Sequence, residues 1–257
     1  GMHAGAGVCC SGASSWLGAL PPGPADEKNR HTPASLVIYR SQFRATNRAM
    51  LDDPPFSAAA DSLVAVGRRL DARGWAPATA GNYSVRLPDG TFAVTASGSH
   101  KGRLSSDQIA RVDAVGRSLN GRRPSAETLL HCLIYELDPA AGAVLHTHSV
   151  AGTVLSRALE GATAIELAGY EVLKALPGID THETTLAMPL VDNTQDMAAM
   201  AAMLRSLLPA QQPQTGTFYI RGHGLYAWGP DLAAAENGIE ACEFLLACAW
   251  EEWKTRR

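Results

Sequence analysis

From Phe56 onward, segments with helical spacing of apolar residues and short strand-like segments follow one another in no regular order. Ala58 to Ala72 sets Leu63, Val66 and Leu70 on one helical face, and Gly74 ends it. Asn82 to Leu87 and Phe92 to Thr95 read as strands around a Pro88-Asp89-Gly90 turn. A short helical turn over Ser105 to Ile109 and a strand pair around Arg111 to Asp113 follow. Ser125 reads as the N-cap of a helix running to Leu137, with Glu127 in its first turn. Ala143 to His148 reads as a strand, Val150 to Leu159 as a helix, and Gly169 to Leu176 as a helix or structured turn. Leu186 to Leu190 reads as a strand and Thr194 to Leu208 as a helix with a methionine stripe belonging to core or contact surface. Strands Thr217 to Ile220 and Leu225 to Trp228 precede a final helix from Asp231. No βαβ period, internal repeat or G-x-G-x-x-G appears, which leaves one α/β domain with a mixed sheet between helices.

Residues 1–55 carry less information. Pro21-Pro22-Gly23-Pro24 and a polar stretch surround one short apolar run, Leu36-Val37-Ile38-Tyr39. This segment reads as an extension, residues 56–257 as the organised domain, and Met50 as an alternative start. Lys plus Arg total 22 against 25 Asp plus Glu, so no basic excess points to nucleic acid or an anionic membrane. With no spanning segment and no leader-like N-terminus, a cytoplasmic location is expected. The five cysteines (Cys9, Cys10, Cys132, Cys242 and Cys248) read as reduced, and the last three as small core residues.

The sharpest chemical signal is Val144-Leu145-His146-Thr147-His148-Ser149. Residues i and i+2 of a strand point to one face, so His146 and His148 project together at a distance one metal can bridge. His223 stands between two glycines at the junction of two apolar strands, where the backbone can turn sharply and send the imidazole inward. Three neutral imidazoles with a fourth position open suit zinc in a catalytic role. Glu127 and Glu171, read alone, are ordinary helix-end and helix-face carboxylates. Ala80-Gly81-Asn82, Ser97-Gly98-Ser99-His100-Lys101 and Ser125 offer amides, hydroxyls and a cation to a phosphate.

Taken in order, Gly81-Asn82, Ser97-Gly98, Ser125-Ala126-Glu127, His146-Thr147-His148 and Arg221-Gly222-His223-Gly224 resemble the class II aldolase/adducin superfamily. The resemblance covers about residues 57–253. Pro124 to His131, Tyr170 to Lys174 and His223 to Gly229 are most similar to its methylthioribulose-1-phosphate dehydratase branch. It implies a three-layer fold with a mixed, mainly antiparallel sheet and a homotetramer with sites near subunit interfaces. It implies one Zn2+ per subunit on His146, His148 and His223, and phosphate contacts at Gly81, Asn82, Ser97, Gly98, Lys101 and Ser125. Ala126 replaces a serine of the aldolase phosphate motif, so one hydroxyl contact is missing.

The implied reaction is dehydration of 5-methylthioribulose 1-phosphate to 2,3-diketo-5-methylthiopentyl 1-phosphate in methionine salvage. Glu171 would take the C3 proton and help the C4 hydroxyl leave, beside a ketone polarised by zinc. An apolar setting would raise its pKa. Glu127 occupies the position of an aldolase catalytic or ligand glutamate. The alternatives are a sugar-phosphate aldolase or 4-epimerase acting on fuculose, rhamnulose or ribulose phosphate, and a non-catalytic adducin-like interaction domain.

Overall fold

The computed structural model describes residues 53–210 and 214–256. The expected N-terminal extension, the alternative start at Met50 and the Cys9-Cys10 pair lie outside the described residues, except for residues 53–55. Pro54 and Pro55 open the first helix, α1 (Pro54–Ala72), where proline needs no amide partner and its φ is already helical. Phe56, Ala59, Ala60, Leu63, Val66 and Leu70 recur at helical spacing and form its buried face.

Strands β1 (Asn82–Arg86), β2 (Phe92–Thr95) and β3 (Ile109–Val112) form an antiparallel run. Helix α2 (Thr128–Leu137) precedes β4 (Ala143–Thr147), α3 (Val150–Ala158) and β5 (Ala164–Ala168). Strand β6 (Thr185–Val191), helix α4 (Met197–Leu207), strands β7 (Thr217–Ile220) and β8 (Gly224–Gly229), and helix α5 (Leu232–Thr255) complete the order. The eight strands make one sheet in the order β3-β2-β1-β4-β8-β7-β6-β5. Every pairing is antiparallel except β6 with β7.

Strand alternation divides the core into two layers. Ala143 and Leu145 of β4, Tyr219 of β7 and Leu225 and Ala227 of β8 join α1, α3 and α5. Val144, Phe218, Ile220, Tyr226 and Trp228 turn the other way and join α2 and α4. Helices therefore cover both faces, as a three-layer α/β fold requires. Thr147 faces α5 and donates to the Oε1 of buried Glu243 at 2.6 Å, which ties the end of β4 to that helix.

Two local expectations change. Helix α2 begins at Thr128 rather than Ser125, and Glu127 is its N-cap residue. Pro124 forms a bridge to Ala96 beyond β2, which keeps the chain extended up to Ser125, and a tight turn then carries it into the helix. β5 forms between Leu159 and Gly169, where no element is expected from the sequence: Ile165 and Leu167 are buried while Glu166 and Ala168 are exposed. Of the methionine stripe, Met200 is in the core and Met203 is exposed. Cys132, Cys242 and Cys248 are free thiols. No helix among the described residues is long and apolar enough to cross a membrane.

Candidate metal centre

Sheet register builds the floor of the site. Asn82 of β1 pairs with His146 of β4, and His146 with Tyr226 of β8. These side chains form a row on the α2 side of the sheet. His146 is fully buried, and its ring stacks on Tyr226 at 4.1 Å. Its Nδ1 donates to the Leu225 carbonyl at 2.8 Å, which fixes the tautomer and leaves Nε2 with a free lone pair. His148 stands just past the strand end, where its backbone N–H donates to Trp75 O at 2.8 Å. His223 is delivered by the β7–β8 turn, with Thr153 Oγ1 donating to its carbonyl at 3.5 Å.

Two close approaches need glycine. A Cβ on Gly224 would stand 2.1 Å from Thr147 O and 2.7 Å from His146 Cε1. One on Gly81, where φ is +78°, would stand 2.7 Å from His146 O.

The ligand atoms of His146, His148 and His223 all lie within 4.8 Å of one another. His146 Nε2 and His223 Nε2 are 3.4 Å apart. Two imidazole nitrogens on one tetrahedral zinc are separated by about 3.3 Å, from bonds of about 2.0–2.1 Å. Burial first, and the neighbouring histidines with it, push His148 down to about 3. Burial likewise brings His146 down to about 4, against an opposing pull from Glu127. Both rings are thus neutral at physiological pH, the form that ligates. The donor set, its spacing and the neutral His146 and His148 rings fit a divalent metal.

Glu127 joins this group. Its Oε1 is 2.9 Å from His223 Nε2, its Oε2 is 3.6 Å from His146 Nε2, and Asn82 Nδ2 donates to Oε2. Burial alone would raise its carboxyl, but the facing histidines and the Asn82 hydrogen bond hold it well below the usual carboxylate range. Although Glu127 is the N-cap residue, its side chain makes no capping hydrogen bond and turns to the site instead. The buried Tyr226 phenol, beside this carboxylate, is held protonated.

The expected phosphate contacts gather around the same centre. Lys101 is buried, and its Nζ donates to Thr79 O at 2.9 Å and Ser99 O at 2.7 Å. Burial lowers it to about 8, partly opposed by Glu127. Ser97 N donates to Arg123 O, and with the Ala96–Pro124 bridge this sets the Ser97-Gly98 loop against Ser125. Gly81 and Asn82 lead straight into β1.

Glu171 is elsewhere. It opens a 3-10 turn over Glu171–Ala175, is 67% exposed, and pairs with Lys174 and with His182 Nδ1 at 3.4 Å. The Lys174 hydrogen bond lowers its carboxyl, whereas an apolar setting would have raised it. Within one chain, neither ion pair joins it to His146, His148 or His223.

Residues not anticipated from the sequence complete the surroundings. His131 and Tyr135 of α2 and Ser84 of β1 form a buried polar line behind Glu127. The available signal was a histidine four residues after Glu127 in an otherwise apolar helix. Arg221 donates to the carbonyls of Ser156, Leu159 and Ala162 and so braces the end of α3 against the His223 turn.

A mainly antiparallel sheet that converges three histidines and one ionised carboxylate carries the donor set of a metal-dependent enzyme. The chain belongs to the class II aldolase and adducin N-terminal domain family, whose sequence profile matches residues 61–250. It is 54% identical over 203 residues to methylthioribulose-1-phosphate dehydratase of Granulibacter bethesdensis, covering 77% of this chain and 94% of that one. With the enzyme of the same name from Gluconacetobacter diazotrophicus it shares 50% over 209 residues, covering 81% of this chain and all of the relative. Among solved structures, YgbL of Escherichia coli is similar at 28% identity and a TM-score of 0.64, over 74% of this chain and 87% of that one. L-fuculose-1-phosphate aldolase of Thermus thermophilus shares the fold at 23% identity and a TM-score of 0.62, over 78% and 98%.

Proposed function

We propose that the chain is a zinc-dependent hydro-lyase that converts 5-methylthioribulose 1-phosphate to 2,3-diketo-5-methylthiopentyl 1-phosphate, a step of methionine salvage. The observation that carries this reading is the likeness to dehydratases of that name, at 54% and 50% identity across nearly their whole length.

His146, His148 and His223 would hold one zinc per chain, their ligand atoms all lying within 4.8 Å of one another. Zinc bound there supplies Lewis-acid polarisation of the substrate ketone. The chain's own residues do the rest. Lys101, with two Nζ protons committed to backbone carbonyls, turns its third toward the phosphate. Gly81, Asn82, Ser97, Gly98 and Ser125 complete that cradle. Glu127 remains a fixed negative charge beside the ligand nitrogens, held by the Asn82 amide. Glu171 is the acid–base group: it takes the C3 proton and returns one to the departing C4 hydroxyl, so that water is lost and the enol left behind becomes the diketone. Because Glu171 is exposed in its own chain, it serves the site of an adjoining copy in a cytoplasmic homotetramer.

Glu127 at the metal favours a second reading, an aldolase or 4-epimerase on a similar ketose phosphate, since an aldolase places a glutamate there. Mass analysis after incubation with 5-methylthioribulose 1-phosphate separates the readings. Loss of one water supports the dehydratase. Two carbonyl fragments or an isomer of unchanged mass replaces it with the alternative.

A further inference from the structure

Helix α2 and strand β1 meet through two matching periods. Glu127, His131 and Tyr135 are spaced four residues apart, about 6 Å per step along a helix. Asn82 and Ser84 are spaced two apart, about 6.7 Å along a strand. The members of the two rows alternate along one line. Tyr135 Oη and Ser84 Oγ are 2.8 Å apart, and Ser84 Oγ is 2.7 Å from His131 Nδ1. His131 Nε2 contacts Asn82 Oδ1, and Asn82 Nδ2 donates to Glu127 Oε2. Asn82, Ser84, His131 and Tyr135 are all buried, so these groups satisfy one another rather than water.

The directions in this line are not independent. Asn82 gives its amide N–H to the carboxylate, so its Oδ1 must face His131. That oxygen can only accept, so His131 carries its proton on Nε2. Nδ1 of the neutral ring is then an acceptor, and Ser84 Oγ–H donates to it. Tyr135 O–H donates to Ser84 in turn. Reversing any member would set two acceptors or two donors against each other in a buried place, which is costly.

We infer that His131 is a positioning residue for the metal centre: its Nε2–H tautomer, with Nδ1 accepting from Ser84, locks the Asn82 amide so that its N–H, and not its oxygen, faces Glu127 and the substrate phosphate. The inference rests on the proposed site roles of Asn82 and Glu127. His131 touches neither metal nor substrate, and it acts through Asn82.

The test has one arm without turnover and one with it. Nitrogen-15 NMR of the imidazoles in the zinc-loaded full chain, with His131 assigned by its loss in H131Q, should report the Nε2–H tautomer at neutral pH. An Nδ1–H tautomer or an imidazolium overturns the inference, whatever the substrate proves to be. In the kinetic arm, His131→Leu should keep one zinc per chain while kcat falls roughly 10–100-fold, the range seen for outer partners of metal sites. His131→Gln, whose Nε2 can replace the ring donor, should restore most of that loss. Should the leucine variant fail to fold, Ser84→Ala replaces it. It keeps the imidazole, should show mixed tautomers, and should lose part of kcat. Wild-type kcat and KM in the leucine or alanine variant overturn the inference, as does equal loss in the leucine and glutamine variants together with loss of zinc. If the wild-type chain fails to dehydrate the ketose phosphate, the proposed reaction falls and the tautomer still decides the relay.

Discussion

The metal histidines show how burial prepares a side chain before any ligand arrives. His146 and His148 sit at about 4 and about 3 because the charged ring is penalised inside the protein. In the unfolded chain both protonate near the ordinary value of 6.5. Between those limits the unfolded state binds more protons, so stability rises with pH. The metal-stripped protein should therefore hold its full stability above about pH 6.5 and lose it progressively as the pH falls toward 4. Thermal melting of stripped protein over this range checks the sign; a midpoint flat or rising on acidification would contradict it. At this scale the sequence was most readable where chemistry and local geometry coincide. A strand with histidines two apart, and a histidine between glycines, singled out three side chains whose ligand atoms the structure brings within 4.8 Å of one another. Glu127 looked like dipole compensation because its role depends on Asn82 and His223, each distant in the chain. His131 was hidden for the same reason: its partners are on a strand that ends 45 residues before it.

Secondary-structure elements were readable where a single period ran unbroken. β2, β4, β7 and the start of the final helix follow the apolar pattern nearly to the residue, and α1 ends at Ala72 as expected but begins at Pro54, ahead of the expected Ala58. The pattern failed where tertiary pairing took over. Ser125 has the chemistry of an N-cap, but the Ala96–Pro124 bridge holds the preceding chain extended and delays the helix to Thr128. β5 is an edge strand of five residues, paired only with β6, and its alternation is too short to separate from the apolar run after it. The β4–β8 pair is the element that positions two of the three ligands, and it tolerates no side chain at Gly224. Gly224→Ala should cost about 1–3 kcal/mol through overpacking against Thr147 O. It should also weaken zinc binding, because the added methyl meets the His146 ring. Denaturant melts and chelator competition measure the two effects. Unchanged values in both would show that the strand pair yields more easily than its packing implies.

For the whole molecule, the two-layer core explains why one sheet face carries the chemistry. The α2 side gathers Asn82, His146, Tyr226 and Glu127, while the α5 side holds the strand ends through contacts such as Thr147 with Glu243. What the sequence could not show is that Glu171 lies away from the histidines of its own chain, on the exposed turn that follows the β5 edge. If it serves another copy, activity is divisible between chains. Glu171→Gln and His146→Ala should each be nearly inactive alone. Mixed after dissociation and reassembly, they should regain a fraction of wild-type activity, because some interfaces then combine an intact glutamate with an intact metal site. No recovery in demonstrably mixed oligomers would return the acid–base role to Glu127 or another group of the same chain.

The central claim, a zinc-dependent dehydration on the His146, His148 and His223 centre, is tested most directly by one titration. Metal-stripped protein is reloaded stepwise with zinc while diketone formation from 5-methylthioribulose 1-phosphate is followed. The account predicts no diketone without metal, and a rate that climbs in proportion to zinc and levels off at about one ion per chain, the capacity of a single open site. Undiminished dehydration by the stripped protein, or fully loaded protein that forms no diketone, would contradict it.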